Sequence, residues 1–180
     1  MSANTKLENS WFVLRVTYSR EMKVKEFLES EHIQCFVPLR YVYTVRKGKR
    51  ERKLVPVVNN LIFVYSTRSR IDELKRTSIL MPLVRYVMDR EKRLPMIVPD
   101  KQMQDFIAVA GQLDEQIVYL SPEEVRLKKG DRVRINSGIW QGVEGVFMKM
   151  KDGMHVVVSI EGFMAVATIA LHPSMVDKIF

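Results

Sequence analysis

The sequence changes grammar once, near residue 125, and that change limits what the chain can become. Beyond Arg126, short β-rich runs follow one another at Arg132–Asn136, Val143–Met150, His155–Ile160, Ala165–Leu171 and Met175–Ile179. Turns at Ser137-Gly138, Asp152-Gly153 and Glu161-Gly162 separate several of them. Closely spaced strands without helical periodicity predict a β-only module, a small barrel. Before residue 111, strands and helices alternate instead. Two unlike patterns in 180 residues predict two small domains.

In the first part, Trp11–Thr17 is aromatic and β-branched and predicts a strand. Ser19 is the expected N-cap of a helix from Arg20 to about His32, with Val24, Phe27 and Leu28 on its apolar face. Ile33, Cys35, Val37, Leu39, Tyr41, Tyr43 and Val45 then alternate with polar residues, which predicts one half-buried strand. Lys47-Gly48-Lys49-Arg50 reads as a hairpin tip, and Leu54–Val58 as the returning strand, with Pro56 marking an edge. Asn59-Asn60 turns the chain into the apolar strand Leu61–Tyr65. A short helix near Arg70–Arg76 with a capping box on Ser69, a strand at Val84–Met88 and a helix opened by Pro99 complete the part. Met103, Phe106, Ile107 and Ala110 share a face of that last helix, and Gly111 ends it. The order β-α-β-β-β-α-β-α predicts an α/β sandwich with a mainly antiparallel sheet, so the whole chain reads as α+β. The expected boundaries are 9–111 for the first domain, 112–124 for an acidic linker containing Ser121-Pro122, and 125–180 for the barrel.

Charge divides the same way. Residues 1–110 hold 21 basic and 12 acidic side chains, a net of +9, whereas residues 111–180 hold 8 and 9, a net of −1. The whole excess of +8 therefore belongs to the first part, which is expected to meet a polyanion while the second does something else. No apolar run approaches the roughly 20 residues that span a bilayer. Met1–Ser10 is polar and lacks the apolar stretch of a secretory leader, and the single cysteine, Cys35, leaves no internal disulfide. A cytoplasmic setting is expected.

Catalytic chemistry has little support. His32, His155 and His172 lie far apart, and Cys35 falls on the apolar face of its predicted strand, where an inert thiol is the expectation. The 8 glycines form neither a G-x-G-x-x-G nor a P-loop, and no carboxylate pair is marked for acid–base work. The expectation is a binding protein without metal or cofactor, not an enzyme.

Two features remain. Arg46, Lys47, Lys49, Arg50, Arg52 and Lys53 place six basic residues against one acid at a hairpin tip, where phosphates would be bound through counterion release. A solvated loop is the competing reading. Arg40, Tyr41 and Tyr43 at its base offer stacking to a single strand, or plain sheet packing. The second feature is Lys128-Lys129-Gly130-Asp131 through Gly142-Val143-Glu144-Gly145, a strand and glycine turn that open a barrel. Gly145 permits close backbone approach there. Ile139 and Trp140 at the loop tip are either a partner-binding anchor or packing over the barrel mouth.

These residues resemble a known family. Gly130 to about Gly145 looks like the KOW motif, and the layout of basic α/β domain, acidic linker and barrel is similar to NusG-type transcription elongation factors. Trp11-Phe12-Val13-Leu14 with Glu21-x-Lys23-Val24 resembles the opening strand and helix of the NusG N-terminal domain, and Asn60–Val64 its central strand. Val157–Gly162 resembles a late barrel strand and turn, so the likeness runs from about Trp11 to Ile179. The Lys47–Arg50 hairpin, the Val98-Pro99-Asp100 helix start and the barrel end resemble specialised paralogues of the RfaH and UpxY kind, the latter serving capsular polysaccharide operons. Where the family has aromatic-Pro-Gly-Tyr, this chain has Val58-Asn59-Asn60-Leu61.

The resemblance implies a NusG-type N-terminal sandwich plus a small SH3-like KOW barrel, acting in transcription elongation and antitermination, with a general housekeeping elongation factor as the nearest alternative. It implies docking on the clamp helices of RNA polymerase, for which Val58, Leu61, Phe63 and Tyr65 are the candidates, although Leu61 and Phe63 also suit plain core. The hairpin would reach upstream DNA or the non-template strand. The barrel would recruit NusE or Rho through Ile139 and Trp140, and the protein would act as a monomer. A ribosome- or RNA-associated KOW protein is the other alternative, but it needs a basic barrel.

Overall fold

The structure, a computed structural model, describes residues 8–89, 91–126 and 130–180. Residues 1–7, which make up most of the polar opening, and Lys128-Lys129 at the start of the second motif lie outside the described residues. The backbone forms two compact units that are interleaved in sequence. The first comprises the residues up to Pro38 together with Pro56–Asp100, and the second Leu39–Val55 together with Lys101–Phe180. The second unit thus takes in the hairpin and the helix that were expected with the first domain.

In the first unit, β1 (Ser10–Val16), β2 (Gln34–Phe36), β5 (Leu61–Ser66) and β6 (Val84–Tyr86) form an antiparallel sheet in the order β2-β5-β1-β6. A two-residue strand, β7 (Ile97–Val98), also pairs with β1 and was not foreseen. Helices α1 (Glu21–Ser30) and α2 (Arg68–Thr77) join these strands. Phe12, Val13 and Leu14 of β1 and Leu61–Val64 of β5 are all buried, so both faces of the central pair are covered. Each such side chain contributes roughly 1.5–3 kcal/mol through burial.

Two caps differ from expectation. Helix α2 is capped by Thr67, whose hydroxyl accepts the Arg70 N–H at 3.1 Å, so the helix starts two residues earlier than a cap on Ser69 would allow. Ser19 does not cap α1. Tyr18 and Ser19 both have positive φ, and the Ser19 N–H donates to Asn60 Oδ1 at 2.9 Å, which fastens this turn to the Asn59-Asn60 turn.

The long alternating run divides at Val37-Pro38. Proline has no N–H for a ladder, and the chain leaves the main sheet here. β2 stays with β5, while β3 (Leu39–Arg46) pairs only with β4 (Lys49–Pro56) as a separate two-stranded ribbon. Lys47 and Gly48 form its turn with φ of 51° and 74°. Two successive positive φ values suit the right-handed twist of a tight hairpin.

The rest of the second unit holds α3 (Asp100–Ala110, from Lys101 onward), α4 (Pro122–Arg126) and six strands. β8 (Val118–Leu120), β9 (Asp131–Ile135), β10 (Glu144–Met150), β11 (Gly153–Ile160), β12 (Met164–Ala167) and β13 (Val176–Lys178) make an antiparallel sheet in the order β13-β9-β10-β11-β12-β8. Among the described residues no ladder joins β13 to β8, so the closed barrel expected from the strand spacing is not seen. Residues expected as linker supply β8 and the first three residues of α4 instead. Leu120 joins Met148, Val157, Ala165 and Ala167 in one buried cluster, with Val125 packed against it. Gly145 meets its expected role: a Cβ there would lie 2.5 Å from the Val157 carbonyl oxygen. Helix α3 buries Met103, Phe106, Val109 and Ala110; Ile107 is only half-buried.

Candidate nucleic-acid interface

The ribbon displays the basic residues as its sequence suggests. Arg46, Lys47, Lys49, Arg50, Arg52 and Lys53 are all exposed. Alternation along a strand puts Tyr41 and Tyr43 on one face of β3. There they meet two arginines of β4: the Arg52 guanidinium lies 3.5 Å from the Tyr41 ring centroid, and Arg50 lies 4.1 Å from that of Tyr43. Stacking on a ring face holds an arginine head in a defined plane. The cations nearest the ribbon's base are thus ordered, while Lys47 and Lys49 extend at the tip.

A carboxylate closes this group. Glu115 Oε1 accepts the Tyr43 hydroxyl at 2.8 Å and lies 3.1 Å from Arg52 Nη2. That hydrogen bond, first among the causes, raises the Tyr43 phenol above its ordinary value. Beside it runs a groove of about 400 Å³ lined by Leu39, Arg40, Tyr41, Leu113, Ile117 and Tyr119, among others. Burial pushes the Tyr119 phenol up to about 12.

The second motif is engaged within its own unit. Trp140 is 4% exposed and donates its indole N–H to the Ala108 carbonyl at 3.1 Å, so the indole expected at a free loop tip is packed inward. The last carbonyls of a helix lack partners of their own, and here each of four has one. Ile107 O accepts the Gly111 N–H, Val109 O the Gln112 N–H, Ala110 O the Tyr119 hydroxyl, and Ala108 O the indole. Lys101 Nζ reaches the Gly142 carbonyl at 3.1 Å from the other end of α3 while pairing with Asp105. Ile139, at 74%, is the exposed member of the pair.

Of the four residues named for an apolar docking surface, two are core and two are half-buried. Leu61 and Phe63 are 1% and 0% exposed because β5 lies inside its sheet with both faces covered. Val58 and Tyr65 are half-buried, and Tyr65 stacks on Trp11 at 5.3 Å. Exposure of Tyr18 at 79%, on the strained turn beside Asn60, had no sequence signal. Cys35 is half-buried and its thiol is raised to about 11. His155 is fully buried, with Nδ1 on the Thr168 carbonyl at 2.5 Å and Nε2 on Asp152 at 3.0 Å. Among the described residues no group of three or more His, Cys, Asp or Glu is placed to hold a metal, and no helix is long and apolar enough to cross a membrane.

Fold and surface together define a mixed α/β protein with antiparallel sheets and a ribbon of exposed basic side chains. Comparison with known families matches residues 9–107, more than half of the chain, to the NusG family, described as transcription termination factor nusG. The chain belongs to that family, whose members are transcription factors that bind RNA polymerase. Comparison with curated proteins finds no match.

Proposed function

We propose that this protein is an elongation and antitermination factor that rides on RNA polymerase and suppresses pausing or termination at particular operons, in the manner of RfaH- and UpxY-type paralogues. The observation that carries this reading is the exposed ribbon, with six basic side chains on an arm of a NusG-family chain. Upstream duplex or exposed non-template DNA is its proposed ligand. Phosphate contacts supply affinity without chemistry, so the mechanism is one of binding: a protein holding both clamp helices and DNA disfavours clamp opening. Val58 and Tyr65 are the proposed polymerase-facing members of the original four, with Leu61 and Phe63 acting as the core beneath them. Within the second unit, residues 125–180 are proposed to serve as a KOW module that recruits NusE or Rho, with Ile139 as the contact, Trp140 being occupied by α3 in this arrangement. Its net charge of −1 over residues 111–180 disfavours an RNA-binding alternative for that module.

Transcription of a candidate leader by purified RNA polymerase, with and without the protein, tests the reading. Shorter pauses and more read-through are expected, with loss of both for a Lys49→Glu/Arg50→Glu chain. Tyr65→Asp, shown to remain folded, should lose polymerase pull-down. Unchanged pausing in the presence of the protein would reject the assignment.

A further inference from the structure

We propose that the Tyr43 hydroxyl and the Arg52 guanidinium form a binding site for one phosphate of a nucleic-acid strand, and that Glu115 fills this site in the free protein. The inference rests on the nucleic-acid reading of the ribbon and goes beyond it by naming a donor pair and an internal competitor.

The geometry is that of an anion site. Two donors from the two strands of the ribbon converge on a single oxygen, Glu115 Oε1, at 2.8 and 3.1 Å. A guanidinium has no acceptor of its own, and an arginine N–H paired with a hydroxyl suits a phosphate oxygen as well as a carboxylate oxygen. Arg52 is pre-oriented by the Tyr41 ring at 3.5 Å, so little of its freedom remains to be lost when an anion arrives. A phenol keeps its proton at neutral pH, so Tyr43 remains a donor whether Glu115 or a phosphate accepts from it.

The occupant is weakly held. Arg52 and Glu115 side chains are 47% and 51% exposed, and ion pairs between such half-exposed groups are screened and contribute little. Further phosphates of a strand lying along this face also meet Arg50, which stacks on Tyr43 beside Arg52. A single glutamate has no such company. The adjoining groove of about 400 Å³, lined by Arg40, Tyr41, Tyr43 and Tyr119, gives space and ring faces for the nucleoside attached to that phosphate. Glu115 therefore sets a threshold: the ribbon engages an extended polyanion and ignores isolated anions.

The test is fluorescence anisotropy of a labelled single-stranded oligonucleotide titrated with the full chain over a range of salt concentrations. Glu115→Gln is expected to tighten binding about threefold. Asp114→Asn removes the same charge one residue away and is expected to change binding less. Arg52→Gln is expected to weaken binding, lower the salt slope by about 0.7, and abolish the gain from Glu115→Gln in the double variant. Inorganic phosphate at matched phosphate concentration is expected not to displace the strand. Equal effects of Glu115→Gln and Asp114→Asn, a gain that survives in the Arg52→Gln background, or displacement by inorganic phosphate would each overturn the proposal. The underlying nucleic-acid reading fails separately, if the unaltered chain does not bind or if Lys49→Glu/Arg50→Glu leaves binding unchanged.

Discussion

The indole N–H of Trp140 and the backbone carbonyl of Ala108 lie 3.1 Å apart, and through this bond a loop of the β-sheet caps the last turn of α3. Trp140→Phe keeps most of the packing and removes the donor, so it should lower stability by about 1 kcal/mol. Trp140→Ala also empties the site and should cost about 3–5 kcal/mol. Urea unfolding followed by circular dichroism measures both. A cost near zero for Trp140→Phe would show that Gln112 Nε2, which also reaches this carbonyl at 3.4 Å, suffices as the cap.

Helix α2 depends on the residue before it. Thr67→Ala removes the hydroxyl that accepts the Arg70 N–H and should cost about 1 kcal/mol, whereas Thr67→Ser should cost almost nothing. Thermal unfolding of the two variants separates a capping role from loss of the methyl group.

Two glycines should respond differently to alanine. At Gly145 the added Cβ would sit 2.5 Å from the Val157 carbonyl oxygen, so Gly145→Ala must push β10 away from β11 and should cost about 3 kcal/mol. At Gly48 nothing lies within 4 Å, and only the positive φ opposes a side chain, for a cost of about 1 kcal/mol. Comparing unfolding midpoints of the two variants distinguishes steric from conformational penalties.

The Cys35 thiol is raised from 9.0 to about 11, chiefly by burial and then by Glu29, with Lys25 opposing. A thiol reagent at pH 8 should therefore react slowly with the folded chain and rapidly in urea. The folded thiol holds its proton more tightly than the unfolded one. Its contribution to stability is therefore complete below pH 9.0 and is lost as pH rises through about 11. Fast alkylation of the native chain at pH 8 would contradict this.

Much of the stretch up to residue 111 was legible because its strands and helices carry local patterns. Trp11–Val16, Leu61–Tyr65 and the face Met103–Phe106–Ala110 all lie in elements of the expected type, the first strand ending one residue before Thr17. The Lys47-Gly48 turn was equally readable, since only a turn explains a glycine within a run of cations flanked by strand-like residues. What failed was partnership. The alternation from Ile33 to Val45 suggested one strand, yet Pro38 divides it between two sheets. Leu61 and Phe63 were candidates for a surface only while the covering of both faces of β5 was unknown. Glu115 looked like one acid in a linker, because nothing in a sequence joins it to Tyr43 seventy-two positions earlier.

By itself the order of residues determined where periodicity switches from mixed to β-only, where the cations gather and which glycines must turn or yield space. These are properties of neighbours along the chain, set by sterics and side-chain spacing. The tertiary structure decided that the ribbon stands with α3 and the second sheet, that Trp140 turns inward, and that a carboxylate meets Arg52. Such contacts depend on which distant groups still lack a partner after local structure has formed, and only the folded chain brings those groups within reach.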